Sequence, residues 1–141
     1  MKICLILPLL TVAGVISLTL GVVHFFFPVL LDFQNAIPKD GTPLKPFRLW
    51  FIRYPTQRSD VHGIAWVMNH ASSYVLVTIG GLDLLWGLWL PTPWGTWLSL
   101  WIAGWWFLRA GSQLYLGRRR GDWLILIGFA GLGVIHLLAA L

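Results

Sequence analysis

The chain has 141 residues, of which 57% are hydrophobic and 11% are charged, with a formal net charge of +5 at pH 7. A water-soluble domain usually has about 25% charged residues, so this composition excludes an ordinary soluble fold and indicates a membrane protein. The length suits a single domain, residues 1–141, without a separately folded extramembrane part. The lone cysteine, Cys4, excludes a disulfide framework within one chain.

Four apolar stretches fill most of the chain. A hydrocarbon core of roughly 30 Å needs about 20 helical residues, and residues 6–27, 61–90, 94–116 and 123–141 meet that length. They predict an all-α bundle of four transmembrane helices. Pro28 should end the first, Pro91–Thr92–Pro93 should form a tight turn, and Gly117 should end the third. Lys2 and the apolar residues after it also resemble a signal peptide, but the apolar run extends past the weak cleavage site at Ala13, which favours a retained span.

Positive charges predict the orientation. Apart from Lys2, all Lys and Arg residues lie in or beside the loops between spans one and two and between spans three and four. The positive-inside rule therefore places these loops in the cytoplasm and both termini outside, in a plasma or inner membrane. The chain is rich in tryptophan, and four of these residues surround the tight turn as an aromatic belt would: Trp86, Trp89, Trp94 and Trp97. Anionic lipid accounts for the basic surface, so nucleic acid is not expected as a partner.

The connection from Pro28 to Asp60 is long and rich in proline. Within it, Pro46–Tyr54 mixes large aromatic residues with arginines, which predicts a segment lying in the membrane interface. Such a loop is also long enough to act as a lid over a cytoplasm-facing pocket, and the sequence leaves both interpretations open.

Polar residues inside the spans are costly in lipid unless they are paired or face a cavity, so they are the candidate site residues. Helical rise sorts them into two layers. The outer layer holds Asp83 and His136, which are predicted to pair. The layer nearer the cytoplasm contains six residues that are predicted to form a ligand or cofactor pocket: His24, Asn69, His70, Ser73, Arg109 and Gln113. For each histidine the competing interpretation is a structural hydrogen bond between helices, and Arg109 could instead extend to the headgroups.

The stretch Gly21-Val22-Val23-His24-Phe25-Phe26-Phe27-Pro28 resembles the end of the first helix in DoxX-like small membrane proteins, where a Gly-x-x-His-Phe run precedes a proline. The resemblance implies a four-helix membrane bundle, in some members linked to quinone or thiol redox systems. His24 is the one residue that it carries over. The long basic and aromatic first loop and the tryptophan content depart from that family.

Three functions fit the pattern. The first is a small integral membrane protein that packs as an assembly subunit against other membrane-protein helices, or binds an apolar ligand. The second is a redox subunit that holds quinone, or haem or a pigment through histidine. The third is a small transporter or lipid-handling enzyme. No nucleophile with a recognisable activating group is present, which favours a non-enzyme, and no metal is indicated.

Overall fold

The computed structural model describes residues 2–115 and 120–141, and it is mostly helical (78%). The predicted end of the third span at Gly117, and Arg118 and Arg119 of the predicted loop, lie outside the described residues. The helices are α1 (Lys2–Leu30), α2 (Phe33–Ala36), α3 (Arg58–Leu84), α4 (Trp86–Trp89), α5 (Gly95–Ser112) and α6 (Arg120–Ala140). One 3₁₀ turn, Gln113–Tyr115, follows α5, and two strands, β1 (Phe47–Leu49) and β2 (Ile52–Tyr54), lie between α2 and α3.

Three of the predicted spans end differently in the structure. Helix α1 passes through Pro28 and ends at Leu30, although Pro28 was expected to stop it. The predicted second span breaks at Leu85. At the end of α3 the Leu82 carbonyl accepts from the Leu85 N–H at 3.0 Å and from the Trp89 indole Nε1 at 2.7 Å. The predicted third span ends as a 3₁₀ turn after Ser112.

The long first connection contains a short β-hairpin that the sequence analysis does not predict. Strands β1 and β2 pair antiparallel with Leu49 opposite Ile52, so Trp50 and Phe51 form the turn of a hairpin. Two polar contacts anchor the segment before the hairpin to α3. The Arg58 Nε donates to the Thr42 carbonyl at 3.1 Å, and the His62 Nδ1 lies 2.6 Å from the Ile37 carbonyl.

Two of the described helices are long and apolar enough to cross a membrane by length and composition. They are Ile6–Leu30 within α1, with mean hydropathy 2.3, and Gly121–Ala140 within α6, with mean hydropathy 2.2. The sequence predicted four such spans. Helix α3 is less apolar because it carries histidines, Asn69 and Asp83, and α5 has 18 residues, several of which are tryptophan.

The described residues form two compact units, one of Met1–Ser17 with Ile79–Leu141 and one of Leu18–Thr78. In the first unit, α1 approaches α3 closely at Gly14, where a Cβ atom would lie 3.0 Å from both the Asp83 Cβ and the Gly80 carbonyl oxygen. Helices α5 and α6 also pack together in this unit, with Trp106 fully buried and its ring 5.3 Å from that of Phe129. Such close approach between helices requires small residues at the contact.

Candidate functional site

A buried polar pair lies in the first unit. The His136 Nε2 is 2.9 Å from the Asp83 Oδ1, and both side chains are fully inaccessible. Depth along the helices selected these two residues, and the structure brings them together across α3 and α6. The His136 Nδ1 lies 2.8 Å from the Leu132 carbonyl, an acceptor, so Nδ1 carries a proton. The remaining proton is shared between Nε2 and Oδ1, which makes the pair neutral as a whole.

The pair has one unsatisfied atom. The Asp83 Oδ2 has no hydrogen-bond partner among residues 2–115 and 120–141, and neither does the buried hydroxyl of Ser99 in the same unit. Because both ring nitrogens of His136 are engaged, neither is available to activate a nucleophile. The geometry therefore suits a structural tie between α3 and α6 better than acid–base catalysis.

In the second unit, Asn69 compensates for a proline. Pro28 lacks an N–H, so it cannot donate to the carbonyl of His24, the residue four positions before it in α1. The Asn69 Nδ2 donates to that carbonyl at 2.8 Å. This bond explains both how α1 continues past Pro28 and why a polar residue that is 6% exposed sits on α3. The ring of His24 lies 4.6 Å from that of Phe27.

A cleft of about 320 Å³ lies beside this bond, within the second unit. Two predicted pocket residues, His70 and Ser73, line it. Six further residues complete the lining: Gly21, Val22, Phe25, Phe26, Tyr74 and Val77. The His70 ring stacks on Trp66 at 5.6 Å and meets the edge of Phe25 at 5.0 Å. Aromatic packing on two sides therefore fixes the imidazole in place.

Two polar side chains of this cleft, His70 and Ser73, have already used their donors. The His70 Nδ1 lies 2.9 Å from the Trp66 carbonyl and so donates to it. The Nε2 atom is then an acceptor in the neutral ring, and it has no partner among the described residues. The Ser73 hydroxyl donates to the Asn69 carbonyl at 3.0 Å, which leaves the lone pairs of its oxygen. His70 and Ser73 thus keep acceptor lone pairs, although the surface that the cleft exposes is almost entirely apolar.

Arg109 and Gln113, the other two predicted pocket residues, belong to the first unit. The Arg109 Nη1 is 3.5 Å from the Gln113 Oε1, and its guanidinium carbon lies 5.4 Å from the centre of the Phe129 ring. Gln113 is buried and Arg109 half-buried. A face of a phenyl ring is a favourable site for a guanidinium, so these contacts stabilise the charge within α5 and α6.

Sequence reasoning missed the aromatic part of the cleft. The rings of Phe25 and Trp66 contact that of His70, and Phe25, Phe26 and Tyr74 line the cleft. The signal lay in the spacing on α3, where Trp66 and Tyr74 are each four residues from His70. No group of three metal-ligating side chains occurs among residues 2–115 and 120–141.

Comparison of the chain with family models, curated proteins and solved structures finds no match. The likeness to DoxX-like proteins therefore rests on Gly21–Pro28 and on the predicted arrangement of helices.

Proposed function

We propose that this chain is an integral membrane protein whose four long helices, α1, α3, α5 and α6, all reside in the bilayer. The distribution of side chains supports this. Asp83, His136, Ser17 and Ser99 are fully buried, whereas apolar residues on all four helices face outward. Val12 on α1 is 54% exposed, Val67 on α3 66%, Leu108 on α5 72% and Leu124 on α6 73%. Outward apolar and inward polar residues suit a hydrocarbon solvent and would be unstable in water.

In the proposed orientation the Thr92 turn lies outside and the basic first loop lies in the cytoplasm, in a plasma or inner membrane. With Cys4 replaced by serine, an impermeant maleimide added to intact cells is expected to label Thr92→Cys and to spare Lys45→Cys. After detergent permeabilisation both should react. Labelling of Lys45→Cys alone in intact cells would show the opposite orientation. Equal labelling of both variants would show that no bilayer separates the two positions.

Within that membrane the protein is proposed to bind an apolar molecule that carries a hydroxyl group, in the cleft beside His70. The single observation that carries this proposal is an almost entirely apolar cleft, one of whose lining residues, His70, has a ring nitrogen, Nε2, without a partner among the described residues. Pockets for such molecules are mostly apolar with a few fixed polar groups. A hydroxyl of the ligand would donate to Nε2 while its apolar body contacts Phe25, Phe26 and Val77.

A short-chain quinol tests the proposal because methylation removes its donors and adds only two methyl groups. We expect decylubiquinol to bind the detergent-purified protein about fivefold more tightly than its dimethyl ether, since one net hydrogen bond is worth about 1 kcal/mol. His70→Phe should keep the aromatic contacts and abolish the difference. Equilibrium dialysis with each probe gives the two dissociation constants.

Matched substitutions on α3 provide the control. Val77→Trp places a large ring in the cleft and should abolish binding, whereas Val67→Trp, at a residue that does not line the cleft, should leave it unchanged. Equal binding by both variants, or no binding of any probe to the wild type, would contradict the proposal. The function then favoured is a packing or assembly subunit that acts through other membrane-protein helices.

A second function, a redox or pigment-binding subunit, is favoured by the same histidine. An axial histidine commonly donates its other ring N–H to a carbonyl, as the His70 Nδ1 does to that of Trp66. In such a subunit Nε2 would coordinate haem iron or a pigment metal. A visible absorption band from the purified protein that is lost in His70→Phe would select this function over hydroxyl recognition.

A further inference from the structure

The hairpin of residues 47–54 has an aromatic tip. Its two turn residues, Trp50 and Phe51, are 85% and 86% exposed, the largest exposures among its described apolar side chains. Ile52 and Tyr54 are also more than half exposed. A water-soluble loop has no reason to concentrate apolar surface at its outermost point, so the tip has the character of a contact surface.

The backbone at the tip makes the choice of residue unusual. Trp50 has a φ of 54°, in the left-handed region that residues with side chains rarely adopt. Two-residue hairpin turns favour glycine, asparagine or aspartate at such a position. A small residue would therefore make the hairpin more stable. The large indole at this position indicates that its side chain has a role outside the hairpin itself.

Behind the tip lie two cations. Arg48 and Arg53 are directly opposite each other in the strand register, so they project from the same face of the hairpin. Like charges in this arrangement destabilise a strand pair unless an anion lies between them. Among residues 2–115 and 120–141, neither guanidinium has a carboxylate partner. The two guanidinium groups are thus available to an anion from outside the described residues.

The spacing of these groups matches a lipid surface. Each arginine is two residues from the tip, about 6–7 Å along a strand. An interfacial amphipathic element buries its apolar face about 5–10 Å into the headgroup–acyl boundary, a depth similar to this spacing. The chain is tied down on both sides of the hairpin, at Thr42 and at Arg58, so the hairpin is presented as a unit.

We propose that this hairpin docks on the anionic leaflet of the membrane in which the protein resides. Trp50 and Phe51 enter the headgroup–acyl boundary, and Arg48 and Arg53 together bind a phospholipid phosphate. Guanidinium groups suit this ligand because their paired N–H donors match phosphate oxygens. The proposal rests on the membrane residence proposed above and is independent of the cleft beside His70.

Photocrosslinking tests it in the intact protein. Benzoylphenylalanine in place of Phe51 keeps an aromatic side chain at the tip, and the protein is placed in nanodiscs of equimolar phosphatidylcholine and phosphatidylglycerol. We expect lipid adducts with phosphatidylglycerol favoured by about fivefold, the preference that one cation near an anionic surface supports. Mass spectrometry of the adducts gives the ratio.

Three variants separate the contributions. Arg48→Gln with Arg53→Gln should bring the ratio close to one, whereas Lys39→Gln with Lys45→Gln, which has the same net charge, should leave it high. Trp50→Gly suits the left-handed backbone and keeps the hairpin, yet should lower the total yield of lipid adducts several-fold. A ratio that responds equally to both double variants, or a yield unchanged by Trp50→Gly, overturns the proposal.

Other outcomes identify which proposal fails. If the protein is incorporated in nanodiscs but gives no lipid adducts, the hairpin lies in water, and only the docking proposal is overturned. If alkaline carbonate extracts the protein from membranes, the proposal of membrane residence is overturned, and the docking proposal with it. Loss of lipid adducts when a single-stranded oligonucleotide is added, with crosslinking to that strand, assigns the hairpin to nucleic acid and also overturns the docking.

Discussion

Replacing His136 with leucine is expected to lower the free energy of unfolding by about 3–5 kcal/mol, because it leaves the fully buried Asp83 carboxyl without its partner. Asp83→Leu should cost less, about 1–3 kcal/mol. In that variant the imidazole keeps its bond to the Leu132 carbonyl, 2.8 Å from Nδ1, and loses only the partner of Nε2. Reversible SDS titration in mixed micelles measures both changes.

Two further variants test whether the pair acts as a unit. Asp83→Asn keeps an amide that can donate to the His136 Nε2, so it should be better tolerated than Asp83→Leu. Asp83→Leu combined with His136→Leu removes both buried polar groups and should be more stable than His136→Leu alone, since apolar replacement of a whole buried pair is often neutral. Wild-type stability in both Asp83→Asn and Asp83→Leu would mean that the carboxyl reaches water.

Asn69→Ala is expected to cost about 1–3 kcal/mol, because it leaves the His24 carbonyl without a donor. Pro28→Ala supplies the missing backbone N–H four residues after His24 and should compensate. In the Pro28→Ala background, Asn69→Ala should therefore cost less by about 1 kcal/mol. The same titration on the four proteins of this double-mutant cycle gives the coupling energy.

The cavity left by alanine at position 69 is present in both backgrounds and cancels in the cycle. Thr78→Ala is a suitable control, because its hydroxyl donates to the Tyr74 carbonyl within α3 and involves no contact with α1. Its cost should be the same in the wild type and in the Pro28→Ala background. A coupling energy near zero between positions 28 and 69 would show that the Asn69 bond does not replace the helical one.

The sequence predicted the apolar helices better than their ends. Apolar runs locate α1 and α6 within a few residues, because in those segments composition alone determines the structure. Pro28 misled the prediction of where α1 ends, since a side chain on another helix satisfies the carbonyl that the proline leaves free. At the break near Leu85, the Trp89 indole donates to the Leu82 carbonyl, a contact that no local pattern reports.

The hairpin went unpredicted although its pattern was visible. Phe47-Arg48-Leu49 and Ile52-Arg53-Tyr54 alternate as strands do, but Trp50-Phe51 carries none of the residues that usually mark a tight turn. For the candidate site, helical depth selected Asp83 and His136, whose side chains lie 2.9 Å apart. Depth could not reveal the aromatic residues around His70, because apolar residues carry no polar signal to distinguish cleft from lipid contact.

The outward apolar and inward polar faces of the helices have a thermodynamic consequence. If the helices lie in lipid as proposed, their apolar side chains are already out of water, so separating the helices within the bilayer hydrates little new apolar surface. The heat-capacity increment of that step should then be far below the roughly 12–15 cal/mol/K per residue of water-soluble domains. The stability of the helix assembly would vary almost linearly with temperature, and cooling would not weaken it.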